Sequence, residues 1–255
     1  MVIDNYILIL LRCQVMEKQR LDQALVARGL VNSRSQAESW IKLGKVTVNG
    51  REIKKSGYFV NADAKLQLTA KEQYVSRAGL KLASVAAALN LHFKDKVVLD
   101  VGSSTGGFTD YALQHGAQKV IAVDVGTNQL HPSLHGHPAI ELHEQTDFRD
   151  MKTLSVTPDI VVIDVSFISL RDILPHVAGL SGPHTQVVAM VKPQFEAGAN
   201  AKHKGVIKND AMRRTILRDF EAWSKGAFVI RQKADSDITG AKGNRERFYL
   251  LTKSR

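Results

Sequence analysis

Apolar positions change period several times along the chain. Leu21, Ala24 and Leu25 fall at helical spacing, and Gly29 supplies the stop. Ser33 followed by Gln36 is a capping box; it opens a second helix with Ala37, Trp40 and Ile41 on its apolar side and Gly44 at its end. "KVTVNGREI" alternates and turns on Asn49-Gly50, a two-residue hairpin signal, and "KLQLT" (65–69) is a later short strand. Helix, helix, hairpin predicts a small α+β module.

From Tyr74 the rhythm shifts. "VSRAGLKLASVAAALNL" carries a helical pattern, whereas "KVVLDVG", "KVIAVDVG", "AIELH", "DIVVIDV", "QVVAMVK", "AFVIRQKAD" and "RFYLLT" read as strands separated mainly by helical stretches. This alternation predicts an α/β domain with a mostly parallel, doubly wound sheet whose last two strands pair antiparallel at one edge. Ligands of such sheets sit beyond the carboxyl ends of the strands. Asp100, Asp124, Asp164 and Lys192 all fall at such ends. Val187–Val191 reads as a strand buried on both faces, and Pro193 cannot continue its ladder. Lys192 therefore loses hydration unless something holds it; the plain alternative is a side chain that snorkels to solvent.

The loop "DVGSSTGGFTD" follows the first of these strands. It lacks the G-x-G-x-x-G spacing of dinucleotide sites and the G-K-[ST] of a P-loop. An acidic residue just before the first glycine repels phosphate but suits the ammonium and sulfonium of S-adenosylmethionine. The run resembles the first motif of Rossmann-like methyltransferases, and the resemblance places Asp100, Gly102, Ser103, Gly106, Gly107 and Phe108 at that cofactor. Asp124, ending the next strand, is placed to accept from ribose hydroxyls. Asp147 follows the third strand, where the adenine amino group would lie, and Phe148 is placed to pack on the ring. For Asp124 and Asp147 the competing explanation is a helix N-cap.

Composition narrows the picture. At 255 residues with 44% hydrophobic and 24% charged content, the chain is long enough for one large domain and one small one. A single cysteine, Cys13, excludes an internal disulfide framework and paired-cysteine zinc sites, and suits the cytoplasm. The opening segment has no basic n-region, and its apolar run Tyr6–Leu11 is too short to span a bilayer, so residues 1–16 read as an extension. Residues 16–72 hold 11 Lys and Arg against 6 Asp and Glu, residues 192–255 hold 15 against 7, and residues 73–191 hold 8 against 11. Basic ends flanking a slightly acidic middle suit a protein that grips a polyanion and keeps a cationic small ligand at its centre.

"RLDQALVARGL…SRSQAESWIKLGKVTVNG" resembles the S4 RNA-binding domain over nearly its whole length. The resemblance places Arg20, Ser33, Arg34, Ser35, Lys42 and Lys45 on an RNA-facing surface, and Arg34 falls in the first turn of a helix, where backbone N–H groups favour phosphate. Lys81, Asp164, Lys192 and Glu246, in that order, resemble the tetrad of FtsJ-type ribose 2′-O-methyltransferases. Together with the leading module, "YVSRAGLKL", "VIDVSFISL", "VKPQFE" and "ITGAKGNRE" resemble the hemolysin A/TlyA family. Two segments depart from its pattern: "AKHKGVIKND" is altered from the usual K-G-G-x-V-x-D, and Asp237 stands where the family often has proline.

The resemblance implies an S4 domain over 17–70, a linker at 71–75 and an FtsJ-like methyltransferase domain over 76–255. It also implies methylation of ribose 2′-hydroxyls in ribosomal RNA or ribosomal subunits, with S-adenosylmethionine as donor and without a metal. Lys192 would then orient or deprotonate the hydroxyl, Asp164 would hold Lys192 and face the donor, and Lys81 with Glu246 would complete the site. His131, His135 and His137 sit in a loop with two prolines, a poor frame for metal ligation. The rival functions are a non-catalytic RNA-binding or ribosome-assembly factor and the membrane lysis suggested by the name hemolysin, for which no amphipathic or membrane-spanning stretch is seen.

Overall fold

The computed structural model describes residues 18–31, 33–69, 74–197, 205–207, 209–240 and 242–254, without the side chain of Ser35. The extension at 1–16 and most of the expected linker lie outside the described residues. The chain divides into two compact units, residues 1–72 and 73–255.

In the first unit, β1 (Gln19–Arg20) leads directly into α1 (Leu21–Ala27), and Gly29 takes the left-handed conformation (φ 67°) that ends it. The Ser33 hydroxyl accepts from the Gln36 N–H to cap α2 (Arg34–Lys42), and Gly44 (φ 69°) turns the chain after it. Strands β2 (Val46–Val48) and β3 (Arg51–Glu52) form the expected hairpin. Asn49 and Gly50 both sit at positive φ (50° and 78°), as a type I′ turn requires. β5 (Leu66–Leu68) pairs antiparallel with the other edge of β2. A short ladder between β1 and β4 (Phe59–Val60) was not legible, because two-residue strands leave no periodicity to read. Leu21, Leu25, Ile41 and Val46 form the buried interior.

The second unit opens with α3 (Arg77–Ala86), capped by Ser76. It is shorter than the helical pattern predicts. Asn90 turns left-handed (φ 50°), and the Leu91 N–H bonds back to the Ala86 carbonyl, closing the helix early. Then follow β6 (Val97–Val101), α4 (Gly107–Gln114), β7 (Lys119–Val123), β8 (Ile140–His143), β9 (Ile160–Ile163), α5 (Leu170–Leu180), β10 (Gln186–Val191), the single turn α6 (Pro193–Glu196), α7 (Asp210–Ser224), β11 (Phe228–Asp235) and β12 (Arg247–Lys253). The sheet order is β11-β12-β10-β9-β6-β7-β8. β12 is antiparallel to both neighbours, so the last strand is inserted beside β10 and leaves β11 at the edge. β6 lies between β9 and β7, and the chain leaves these strands in opposite directions; the crevice at that switch point opens at their carboxyl ends.

Glycines let α3 approach α4. A Cβ on Gly107 would lie 2.2 Å from Ser76 Oγ and 2.8 Å from both Ala78 Cβ and the Gly79 backbone nitrogen. Backbone cannot yield as a flexible side-chain end can. Gly107→Ala is expected to cost about 3 kcal/mol, the upper range for overpacking, and to lower Tm by roughly 6–12 °C. Gly179→Ala, where a Cβ meets nothing within 4 Å, is the control and is expected to be neutral or slightly stabilising. Equal Tm values for the two variants in thermal unfolding would contradict the close approach.

Candidate active site

Asp124, Asp164 and Lys192 at strand ends, and Asp100 one residue inside β6, converge because of register. Gly102 N–H bonds the Val123 carbonyl and Asp164 N–H bonds the Val101 carbonyl, which brings the ends of β6, β7 and β9 together. A Cβ on Gly102 (φ 83°) would stand 2.9 Å from the Asp164 carbonyl oxygen, so only glycine lets the loop pass the end of β9. Val191 pairs with Arg247 across β10 and β12. Continuing that antiparallel register by one residue sets Lys192 opposite Glu246.

Two lysine–carboxylate pairs result. Lys192 Nζ lies 2.5 Å from Asp164 Oδ1 and donates to Ser166 Oγ at 2.8 Å. Lys81, reaching in from α3, lies 2.6 Å from Glu246 Oε2. Lys81, Lys192 and Glu246 are all buried, at 7%, 8% and 2% exposure. Buried ammonium groups in this setting do not snorkel; each is held by a carboxylate.

The glycine loop lies beside them. Gly102, Ser104 and Gly106 take left-handed backbone conformations, and Asp124 pins the loop: its Oδ2 accepts from Ser104 N–H at 2.8 Å and its Oδ1 from Gly126 N–H at 2.7 Å. Each oxygen keeps a further lone pair for a ligand hydroxyl. Asp100 is inside β6 rather than at its end, and it is fully buried. Its Oδ2 accepts from the Thr109 hydroxyl at 2.7 Å. Burial pushes its carboxyl up to about 7; the Thr109 bond opposes that shift and the nearby Asp164 and Asp124 charges add to it.

A cleft of about 480 Å³ runs from Val101 and Gly102 past Asp124, Asp147 and Phe148 to Asp164 and Phe167. A smaller cavity of about 140 Å³ is lined by Asp100, Ser103, Phe108, Asp164, Ser166 and Lys192. Asp100 Oδ1 and Ser103 Oγ are buried there without a hydrogen-bond partner among the described residues. Buried polar atoms are rarely left so unless a ligand meets them. Two carboxylates, Asp100 and Asp164, line this cavity, and its cation, Lys192, is already paired to Asp164, so the unpartnered acceptor and hydroxyl suit a cationic group and disfavour phosphate. S-adenosylmethionine therefore fits this donor set.

Asp147 caps a one-turn 3₁₀ helix at Phe148–Asp150 and pairs with Arg149 at 2.5 Å. The Arg149 hydrogen bonds hold its carboxyl well below the usual range, at about 2. The N-cap explanation thus applies to Asp147, although the residue also lines the cleft. Phe148 belongs to the hydrophobic core, edge-on to His176, and shows the cleft only part of its ring. In the first unit, Arg20 and Arg34 converge on Asp22, while Ser33, Lys42 and Lys45 are exposed. The Ser35 side chain lies outside the described residues.

Ser166, Thr109 and Phe167 were not legible as site residues. Ser166 and Thr109 have only their spacing from Asp164 and Asp100 to signal them. Phe167 is 92% exposed with a left-handed backbone (φ 66°) at the rim of the cleft. His131 Nδ1 accepts from the Ser133 N–H and His135 Nε2 bonds the Leu130 carbonyl, so the histidines of that loop serve its turns. Among the described residues no His, Cys, Asp and Glu cluster is disposed to hold a metal ion, and no helix is long and apolar enough to cross a membrane.

A seven-stranded sheet with an inserted antiparallel strand, a glycine loop after its first strand and carboxylates at the next two strand ends defines the Rossmann-like methyltransferase class. The FtsJ-like methyltransferase family matches residues 74–253 and the S4 domain family matches residues 19–66. The chain belongs to the FtsJ-like methyltransferase family, in the branch that carries an S4 domain. It is 36% identical to the 23S rRNA (cytidine-2′-O)-methyltransferase TlyA of Campylobacter jejuni, over 90% of this chain and 98% of that one. It is 35% identical to the 16S/23S rRNA (cytidine-2′-O)-methyltransferase TlyA of Mycobacterium tuberculosis, over 92% and 90%. A solved structure from Streptococcus thermophilus that carries the name hemolysin superposes with a TM-score of 0.69 at 39% identity, over 94% of this chain and 90% of that one.

Proposed function

We propose that this protein transfers the methyl group of S-adenosylmethionine to ribose 2′-hydroxyls of ribosomal RNA in the cytoplasm. The observation that carries the reading is the juxtaposition of Lys192, held by Asp164 and Ser166, with the buried unpartnered Asp100 Oδ1 in one cavity. Asp100, Gly102, Ser103, Gly106, Gly107 and Phe108 would hold the amino-acid end of the donor. Asp124 would take its ribose hydroxyls, and Asp147 with Phe148 would border the adenine. The donor supplies an electrophilic methyl on a sulfonium.

The protein's part is alignment, which matters most in an in-line displacement. Lys192 Nζ meets the 2′-hydroxyl and orients it or takes its proton as the oxygen attacks. Asp164 and Ser166 fix the position of that nitrogen, and the Lys81–Glu246 pair closes the flank. The S4 unit, with Arg20, Ser33, Arg34, Ser35, Lys42 and Lys45, would grip RNA through phosphate. Methyl-labelled donor incubated with protein-free rRNA and with ribosomal subunits tests the reading. Label recovered in 2′-O-methyl nucleosides after nuclease digestion is expected; absence of label, or label on bases, would refute it.

Asp100 gives a pH signature. Its folded value of about 7 lies above the roughly 3.9 of an unfolded aspartate, so this residue's contribution to stability falls as pH rises from about 4 to about 7. A bound cation favours the ionised carboxylate and reverses that preference. Donor binding near pH 6.5 is therefore expected to release a proton, read in calorimetry as a heat that varies with buffer ionisation enthalpy. Asp100→Asn should remove the variation. A buffer-independent heat in the native protein would take Asp100 out of contact with the cationic end of the donor.

A further inference from the structure

Asp22 is an odd residue for a module with a basic surplus. It lies at the second position of α1, where an exposed carboxylate would already be favoured by the helix terminus, yet its side chain is fully buried. Three of its four hydrogen bonds come from two arginines. Oδ1 accepts from Arg20 Nε at 3.0 Å and from Gln23 N–H at 3.0 Å. Oδ2 accepts from Arg20 Nη2 at 2.8 Å and from Arg34 Nε at 2.9 Å. Arg20 is thus gripped bidentately from the strand before α1, and Arg34 is gripped from the first position of α2. Their side chains remain 37% and 52% exposed. Glu38 forms a loose ion pair with Arg34 Nη2 at 3.9 Å, beyond hydrogen-bond range, so the N–H groups on that edge of the guanidinium keep hydrogen-bonding capacity for a further partner.

We propose that Asp22 is the positioning residue of a two-arginine clamp, holding Arg20 and Arg34 side by side so that their outer N–H groups receive one stretch of RNA phosphodiester. The proposal rests on the RNA-binding reading of the first unit and adds the residue that organises it. The trio carries two cations and one anion, and Glu38, 3.9 Å from Arg34 Nη2, offsets the remaining surplus, so the clamp would act through placed N–H donors more than through net charge. An arginine already held in place has lost its rotamer freedom before RNA arrives, and less is lost per bond formed on binding. Burial pushes the Asp22 carboxyl up, but the bonds from Arg20 and Arg34 outweigh that and leave it at about 2, so the carboxylate is charged whenever the protein is folded near neutrality.

Charge alone and positioning predict opposite signs. Asp22→Asn removes a negative charge from an RNA-binding unit, and by simple electrostatics it should raise affinity. If Asp22 positions the clamp, affinity for protein-free rRNA should instead fall roughly 3- to 10-fold, and the slope of log affinity against log salt should become shallower by about one phosphate contact. Filter binding of the full chain across a potassium chloride series reads both, with thermal unfolding followed in parallel, since a merely structural role would move Tm and leave the slope. Affinity that is unchanged or raised overturns the proposal. Should Asp22→Asn be unfolded at the assay temperature, Arg34→Lys decides: it keeps the charge but loses the guanidinium fork, and it is expected to weaken binding as well. Lysine binding as tightly as arginine there overturns the clamp. Arg34→Ala separates the two levels. If it weakens binding while Asp22→Asn and Arg34→Lys do not, only the clamp fails; if Arg20→Ala and Arg34→Ala both leave affinity intact, the RNA-binding reading of this surface fails with it.

Discussion

Lys192→Arg should lose methyl transfer by about 10²–10⁴-fold while donor and RNA still bind, the range expected when a positioned acid–base group is removed. The arginine can still reach Asp164, so the ion pair need not be lost. What is lost is a compact nitrogen at one point: a guanidinium gives up no proton near neutrality, and its planar fork displaces the 2′-hydroxyl from line. Lys192 is 8% exposed, with its Nζ fixed between Asp164 Oδ1 and Ser166 Oγ, and little room remains for a larger head group. Single-turnover methylation at saturating donor and RNA reads the chemical step. Near-normal rates in the arginine variant would reduce Lys192 to a strand-end charge.

Glu246→Gln should destabilise the second unit by about 3–5 kcal/mol, the cost of leaving one member of a buried pair without its counter-charge. Lys81 and Glu246 have side chains only 9% and 3% exposed, so water cannot take over from the missing carboxylate. Replacing both, Lys81→Met with Glu246→Leu, should recover much of the loss, because no buried charge then remains. Urea unfolding of the single and double variants measures this. A single-variant cost below about 1 kcal/mol would mean that the pair is solvated and contributes as a surface bridge does. The double variant should remain inactive even if stable, which separates the role of this pair in the site from its role in folding.

The fold was legible because its signals are local. The Asn49-Gly50 turn, the Ser33 cap and the short apolar runs at 97–101, 160–163 and 187–191 each act over a few residues, and the elements found match them. The order Lys81, Asp164, Lys192, Glu246 was visible through the family resemblance; of the four, Asp164 and Lys192 also stand out as charged residues at strand ends, whereas Lys81 lies in the middle of α3. Boundaries were less so: α3 stops at Ala86 because Asn90 turns left-handed, a choice that apolar spacing does not encode.

Most side-chain pairings were decided only in three dimensions. The sequence determined that there are two modules, that one is a doubly wound sheet and that charged groups stand at its carboxyl edge. Tertiary structure decided that Lys81 pairs with Glu246, through the insertion of β12 beside β10, and it set Lys192 against Asp164 through the pairing of β10 with β9. It also decided that Phe167 stands exposed at the rim of the cleft, that Asp147 is committed to Arg149, and that Asp22 is buried beneath two arginines. The physical reason is range. Turn and helix signals act between neighbours in sequence, whereas ion pairs and burial depend on strand order and register, which bring together residues as far apart as 81 and 246.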